Sequence, residues 1–124
     1  MTAALATFPT PFGVLEATAA RGRLRSVRFC WDGPAGPPRG HDPSLDALAE
    51  WLRAYLGGAP VCCRLPIEWE RVEGLRREVL QATARVEHGE TTTYGAIAAA
   101  VGRPGEARVI GQALKRNPWV LVVP

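Results

Sequence analysis

Three polar residues near the carboxyl end of the chain, Arg108, Gln112 and Lys115, follow one another at helical spacing. On a helix these positions share one face. The other side of the same segment is an apolar stripe made of Ala107, Ile110, Gly111 and Leu114. Guanidinium, ammonium and amide groups are the side chains that contact phosphates and base edges. This pattern predicts an amphipathic helix whose polar face binds nucleic acid.

The distribution of charge favours the same segment. Residues 1–90 hold 11 arginines and 11 acidic residues, whereas residues 91–124 hold four cations against Glu106 alone, so the net charge of +3 comes from this region. Charge leaves a second interpretation open, because 14 arginines to a single lysine is typical of a GC-rich genome. A cationic helix can equally be a solvated face.

Other chemistry finds little support in the residue pattern. Cys30, Cys62 and Cys63 lack the spaced pairs of a structural zinc site, and we expect small buried thiols instead. His41 and His88 fall in predicted turns. No carboxylate cluster for metal-dependent chemistry is present in the first half of the chain, and there is no Ser/His/Asp pattern or phosphate-binding glycine loop, so we expect no metal site.

The polar helix must be positioned by its neighbours. Thr93 is a good N-cap for a preceding helix from Tyr94 to Val101, which Gly102 would end. Two helices joined by a tight Gly/Pro turn are typical of helix-turn-helix DNA binding. An earlier helix from Glu70 to the turn at His88 would complete a three-helix core. An extended apolar tail, residues 120–123, would follow.

The first half of the chain predicts a small sheet with one helix. Strand patterns run from Phe8 to Trp31, and Val27, Phe29 and Trp31 are the expected inward residues of the last strand. Asp42 is a predicted N-cap for a helix with Pro43 at its first position. The apolar stripe of this helix is Leu45, Leu48, Leu52 and Tyr55.

The predicted fold class is therefore α/β (α+β), with a domain boundary in the segment Ala59 to Ile67. Domain 1 would cover residues 1–66 and domain 2 residues 67–124. The sequence has no run of about 18 apolar residues and no secretion signal at its amino end. We expect a cytoplasmic monomer without membrane contact.

Several motifs carry more information than spacing does. They are His88 to Gly95 (HGETTTYG), Gly102 to Pro104 (GRP), Ala107 to Leu114 (ARVIGQAL), Arg116 to Pro118 (RNP) and Val122 to Pro124 (VVP). Together they resemble the alkylguanine-DNA alkyltransferases, over about residues 70–124. The resemblance implies an N-terminal ribonuclease-H-like domain and a winged helix-turn-helix-like DNA-binding domain.

The resemblance also implies a reaction and the residues that serve it. A protein of this family flips an alkylated guanine out of double-stranded DNA and moves the alkyl group from the guanine oxygen to a cysteine thiolate, without a cofactor. Arg108 would enter the duplex in place of the flipped base. Tyr94 would lie near the rotated phosphate, and Gly111 would allow close approach to DNA or to a neighbouring helix. Gln112 and Lys115 would add contacts to DNA.

The turn that leads to the acceptor is implied by the same resemblance. Asn117 would brace it, with Pro118, Val123 and Pro124 as support. In the family a cysteine, a histidine and an arginine directly follow the residues matched by Val123 and Pro124. This sequence holds no such cysteine, so we expect the polypeptide as written not to transfer alkyl groups, and residues 120–123 to lack packing partners.

Three explanations remain open for the missing cysteine after Pro124. They are a selenocysteine codon read as a stop, a nonsense mutation or gene fragment, and a nucleophile-free lesion binder. A plain helix-turn-helix DNA-binding protein is the alternative outside the family.

Overall fold

The first third of the chain forms a three-stranded antiparallel sheet in the order β1-β2-β3. The strands are β1 (Ala4–Thr10), β2 (Gly13–Ala20) and β3 (Arg23–Cys30). Four helices follow: α1 (Pro43–Leu56), α2 (Gly74–Ala84), α3 (Tyr94–Ala100) and α4 (Ala107–Leu114). This computed structural model describes residues 3–31, 33, 36–59, 61, 64–86 and 90–123. The fold is mixed α/β, as predicted.

The strand boundaries follow from the turns between the strands. Arg21 and Gly22 separate β2 from β3, and both have positive φ (55° and 76°), the conformation that suits the twist of a two-residue hairpin. The predicted start of the first strand at Phe8 is wrong, because Ala4 already pairs with Ala19 of β2. Alanines have low intrinsic β-propensity, so this extension depends on the neighbouring strand.

The predicted burial pattern of the last strand is also partly wrong. Val27 is fully buried, but Trp31 is 75% exposed and Cys30 is buried instead. The register between β2 and β3 shifts at Thr18/Ala19, which interrupts simple alternation. Since β3 ends at Cys30, Trp31 lies beyond the sheet and stacks on Phe29, with ring centroids 5.2 Å apart.

Helix α1 begins as predicted. The Asp42 side chain accepts a hydrogen bond from the Ser44 backbone N–H at 2.9 Å, and Pro43 occupies the first turn. Leu48 is fully buried, and Leu45 and Leu52 lie with it in the core cluster of the sheet. Tyr55, the last residue of the predicted stripe, stacks on Trp51 instead, with ring centroids 5.1 Å apart. The main hydrophobic core therefore lies between β1-β2-β3 and this helix.

Helix α2 begins four residues later than the predicted start at Glu70. A short 3₁₀ turn (Trp69–Arg71) comes first, and Val72 then adopts an extended conformation. Gly74 has a φ of 57°, which sets the helix start. The apolar periodicity continued through Val72, so it concealed this break.

Helices α2, α3 and α4 share a second, smaller core. Its buried members are Val79, Ile97, Ala98 and Ile110. The predicted three-helix core is thus confirmed. Within the described ranges, no helix is long and apolar enough to cross a membrane.

The segment after α4 does not form the extended tail that was expected. Val123 N–H donates to the Trp119 carbonyl at 3.0 Å, and Leu121 has a φ of 73°, so residues 119–123 fold into a turn. Trp119, Val122 and Val123 are almost fully buried in the main core beside the sheet. The expectation that this segment lacks packing partners is therefore wrong, because the sheet edge supplies them.

Candidate DNA-binding surface and the turn beside it

Helix α3 begins at the residue that the sequence predicted. The Thr93 hydroxyl accepts a hydrogen bond from the Ala96 backbone N–H at 3.0 Å. Ile97 and Ala98 point into the helical core, whereas Tyr94, in the first turn, is 52% exposed. This N-cap therefore holds Tyr94 at the surface, with its ring turned toward α4.

Helix α4 places its polar residues outward. Ile110 is fully buried, while Arg108, Gln112 and Lys115 are all exposed, as the spacing predicted. The Arg108 side chain makes no hydrogen bond or ion pair with any residue that the structure describes. Glu106, the acidic residue beside it, lies 3.4 Å from Arg103. The guanidinium of Arg108 is thus available to a ligand, and the nearest carboxylate in sequence is partly neutralised.

Gly111 lies where α4 meets the Tyr94 ring. A methyl group added at Gly111 would lie 3.2 Å from Cε2 and 3.6 Å from Cδ2 of that ring. The first of these distances is shorter than an ordinary carbon–carbon contact. The sequence allowed close approach either to DNA or to a neighbouring helix, and the structure shows contact with the first residue of α3.

Asn117 joins both ends of the turn after α4. Its Nδ2 donates to the Val123 carbonyl at 2.8 Å, and its Oδ1 accepts from the Trp119 backbone N–H at 2.9 Å. One side chain thereby satisfies an acceptor and a donor that the turn leaves without helical partners. The two hydrogen bonds connect residues 117, 119 and 123, and the role of Asn117 beside an active site stays a prediction.

The same turn is attached to the outer edge of β3. Val27 N–H donates to the Pro118 carbonyl at 2.8 Å, and Val120 N–H donates to the Val27 carbonyl at 2.9 Å. The Trp119 indole N–H donates to the Leu24 carbonyl at 3.1 Å. Sequence reasoning missed this role of Trp119. No local signal could have found it, since the acceptor lies 95 residues away.

The remaining predicted residues divide into those near the turn and those elsewhere. Val123 is buried at the end of the braced turn, and Pro118 supplies its carbonyl to β3. Pro124, Cys62, Cys63 and His88 lie outside the described residues. His41 is exposed, with Nε2 2.9 Å from Asp46 Oδ2.

Cys30 is a poor nucleophile where it stands. Burial, with a further contribution from the Glu16 carboxylate, raises the pKa of the Cys30 thiol, and Arg28 only partly opposes this. A raised pKa keeps sulfur in the less reactive thiol form. Among the described residues, no group of histidine, cysteine and acidic side chains could hold a metal ion.

Comparison with known proteins defines the class of this site. Residues 74–124, which include α2, α3, α4 and the braced turn, match the family described as 6-O-methylguanine DNA methyltransferase, DNA binding domain. The exposed cationic face and the braced turn therefore lie in a region of DNA-binding type.

Full-length relatives extend the likeness to the sheet. A methylated-DNA–protein-cysteine methyltransferase from Mycolicibacterium paratuberculosis is 37% identical over 122 residues, covering 95% of this chain and 73% of that protein. The constitutive enzyme of the same name from Bacillus subtilis is 37% identical over 82 residues, covering 66% of this chain and 49% of that protein. The chain thus spans about half the length of some relatives and three quarters of others.

A solved structure is similar to this chain over both the DNA-binding region and the sheet. Mycobacterium tuberculosis OGT in complex with DNA superposes with a TM-score of 0.77 at 28% identity, covering 97% of this chain and 74% of that chain. The chain belongs to the methylated-DNA–protein-cysteine methyltransferase family, also called the alkylguanine-DNA alkyltransferases.

Proposed function

We propose that this protein binds double-stranded DNA containing alkylated guanine through the face of α4 that carries Arg108. In this proposal the alkylated base rotates out of the duplex, and the Arg108 side chain occupies the space it leaves. Rotation costs a few kcal/mol of unstacking, so a side chain that fills the gap offsets part of the cost. Lys115 contributes charge along the same face, and Gln112 contributes an amide.

One observation carries the proposal: the exposed Arg108 side chain, which has no partner among the described residues, and the exposed Tyr94 ring lie on one surface formed by α3 and α4. Tyr94 is proposed to contact the rotated phosphate. A guanidinium and a phenol held on packed helices bring little disorder to the complex, which favours a defined geometry at the lesion.

The alkyl acceptor in this proposal is a cysteine or selenocysteine directly after Pro124. Its thiolate or selenolate would attack the alkyl carbon, the bond from carbon to the guanine oxygen would break, and a proton would complete the released guanine. Alkyl transfer therefore requires a chain that carries this residue. The Asn117 brace supports the proposal, because it fixes Val123, the last described residue before that position.

The proposal also includes the expected fold types of the two regions and the expected oligomeric state. The regions 1–66 and 67–124 are proposed as the ribonuclease-H-like and the winged helix-turn-helix-like parts of the protein. The protein is proposed to act as a monomer.

Binding titrations with two otherwise identical duplexes, one with O6-methylguanine and one with guanine, test the proposal. We expect tighter binding to the alkylated duplex. Arg108→Ala should remove most of that preference, a loss of about 10-fold or more, since a charged contact contributes roughly 1.5–3 kcal/mol. A fluorescent base opposite the lesion reports rotation independently.

The matched control is Arg53→Ala, which removes one exposed cation from the last turn of α1. It should weaken binding to both duplexes slightly and equally, and should leave the preference intact. Equal affinity of the unaltered protein for both duplexes, together with an indifferent Arg108→Ala, would favour a plain helix-turn-helix DNA-binding protein instead.

A further inference from the structure

Tyr94 and Gly111 form a contact between α3 and α4 at the centre of the candidate surface. Tyr94 occupies the first position of α3, and its ring lies against the backbone of Gly111 in the second half of α4. Gly111 belongs to the apolar stripe of α4, but it comes three residues after Arg108, so it lies at the border of that stripe next to Arg108. Helix α4 therefore positions both the Tyr94 ring, through Gly111, and the Arg108 guanidinium.

The fit at this contact depends on the missing side chain. A Cβ at Gly111 would lie 3.2 Å from Cε2 of the Tyr94 ring, so the ring would have to move by a few tenths of an ångström. Glycine is costly in the middle of a helix, where alanine is the more stable residue. Gly111 has no positive φ that would demand glycine. The space that the Tyr94 ring occupies is therefore one reason for a glycine at this position.

We propose that Gly111 is a positioning residue for Tyr94: it seats the phenol ring on α4 at a fixed distance from Arg108, so that the two side chains meet DNA as one unit. This inference rests on the proposed function for the role of Tyr94 in lesion binding. The alternative reason for a glycine here, close approach of DNA to the α4 backbone itself, predicts a different pattern of mutant effects.

The chain offers a matched control for the glycine. Gly95 lies in α3, and a Cβ there would meet only Thr93 Oγ1, at an ordinary 3.8 Å. Gly95→Ala and Gly111→Ala therefore make the same chemical change in two helices, but only the second should displace the Tyr94 ring.

The position of the Tyr94 ring against Gly111 can be measured without DNA. The chain has two tyrosines, Tyr55 and Tyr94, so ring-labelled tyrosine gives two sets of NMR signals, which Tyr94→Phe assigns. Gly111→Ala should shift the Tyr94 signals, whereas Gly95→Ala should shift them much less. Unchanged Tyr94 signals in a folded Gly111→Ala protein would overturn the seating.

The consequence for function is measured by titration with the alkylated duplex. Gly111→Ala should weaken binding about fivefold, the effect of losing one hydrogen bond, and Gly95→Ala should cause a smaller change. In a Tyr94→Ala background, Gly111→Ala should have no further effect, because the ring that it displaces is absent. Melting curves confirm that each variant folds.

The outcomes separate the two proposals. A fivefold loss that persists in the Tyr94→Ala background would overturn the positioning role and favour direct approach of DNA to Gly111. A displaced ring with no effect on binding would overturn it as well. If the unaltered protein shows no preference for the alkylated duplex, the proposed function fails, while the NMR result still decides the seating.

Discussion

At the scale of single residues, Arg108 and Asn117 represent two kinds of predicted site residue. Helical spacing alone was enough to predict that Arg108 faces solvent, because a buried Ile110 fixes the rotation of the helix. Asn117 has no such periodicity, and its role came only from the resemblance. Its two hydrogen bonds close a turn whose shape no local pattern encodes.

Replacing Asn117 tests the brace directly. Asn117→Ala leaves the Trp119 N–H and the Val123 carbonyl without their partner in a partly buried turn, which should cost about 2–3 kcal/mol of unfolding free energy. Urea unfolding followed by tryptophan fluorescence measures the loss. A cost below about 0.5 kcal/mol, the range of ordinary surface substitutions, would contradict the brace.

Asn117→Asp adds a pH-dependent control to that experiment. The introduced carboxylate still accepts from Trp119 N–H but repels the Val123 carbonyl oxygen, so its folded-state pKa should rise. Since the folded state then binds the proton more tightly, this variant should gain stability relative to the unaltered protein as the pH falls through that pKa. The Asn117→Ala variant should show no such gain.

At the scale of elements, the cap of α1 joins the helix to the sheet. Asp42 Oδ1 accepts from the Ser44 backbone and hydroxyl groups, and Oδ2 accepts from Gly22 N–H in the hairpin turn at 2.9 Å. Burial alone would raise the pKa of Asp42, but the hydrogen bonds from Ser44 and Gly22 together outweigh it and lower the pKa. The cap residue was predictable from sequence, whereas its bond to Gly22 was not.

The lowered pKa of Asp42 gives a pH dependence with a definite sign. The ionised form is favoured in the folded state, so its contribution is fully present above the ordinary aspartate pKa of 3.8 and is lost as the pH falls below it. Asp42→Ala should cost about 1–2 kcal/mol at neutral pH, and this difference should shrink as the pH falls below that value.

Asp46→Ala is the matched control for the cap. Asp46 also lies in the first turn of α1, but it is exposed and contacts only the exposed His41 among the described residues. Its replacement should change the unfolding free energy by less than about 0.5 kcal/mol. Equal costs for the two substitutions would mean that helix charge, and not the cap, accounts for the effect.

At the scale of the whole molecule, the two proposed regions share the main hydrophobic core, in addition to the smaller core of α2, α3 and α4. Leu80 of α2, together with Trp119 and Val122, packs in the same cluster as Leu48 and the sheet. The Trp69 and Trp119 rings meet edge to face, with centroids 5.2 Å apart. A boundary at residue 66 therefore separates segments of sequence without separating their cores.

This shared core predicts a single unfolding transition. Far-UV circular dichroism and tryptophan fluorescence should give the same urea midpoint. Leu48→Ala, under the sheet, and Leu80→Ala, in α2, should each lower that midpoint, at a cost of about 2–5 kcal/mol for each buried leucine. Two separate transitions, each sensitive to only one of the substitutions, would show that the regions fold independently.

The sequence by itself determined that α1, α3 and α4 form, the caps of α1 and α3, and the solvent-facing residues of α4, because each of these depends on residues within one or two helical turns. Its motifs also identified the family, which the relatives confirm. The register shift in β3, the late start of α2 and the folded turn at residues 119–123 were decided by the tertiary structure. The register shift depends on the pairing of Leu24 with Ala19 of the neighbouring strand. Val72, just before α2, is buried in the main core with residues of the sheet, and the turn is hydrogen-bonded to the edge of β3. The turn beside the candidate DNA-binding surface is thus held by the sheet at the opposite end of the chain, through Trp119 and Leu24.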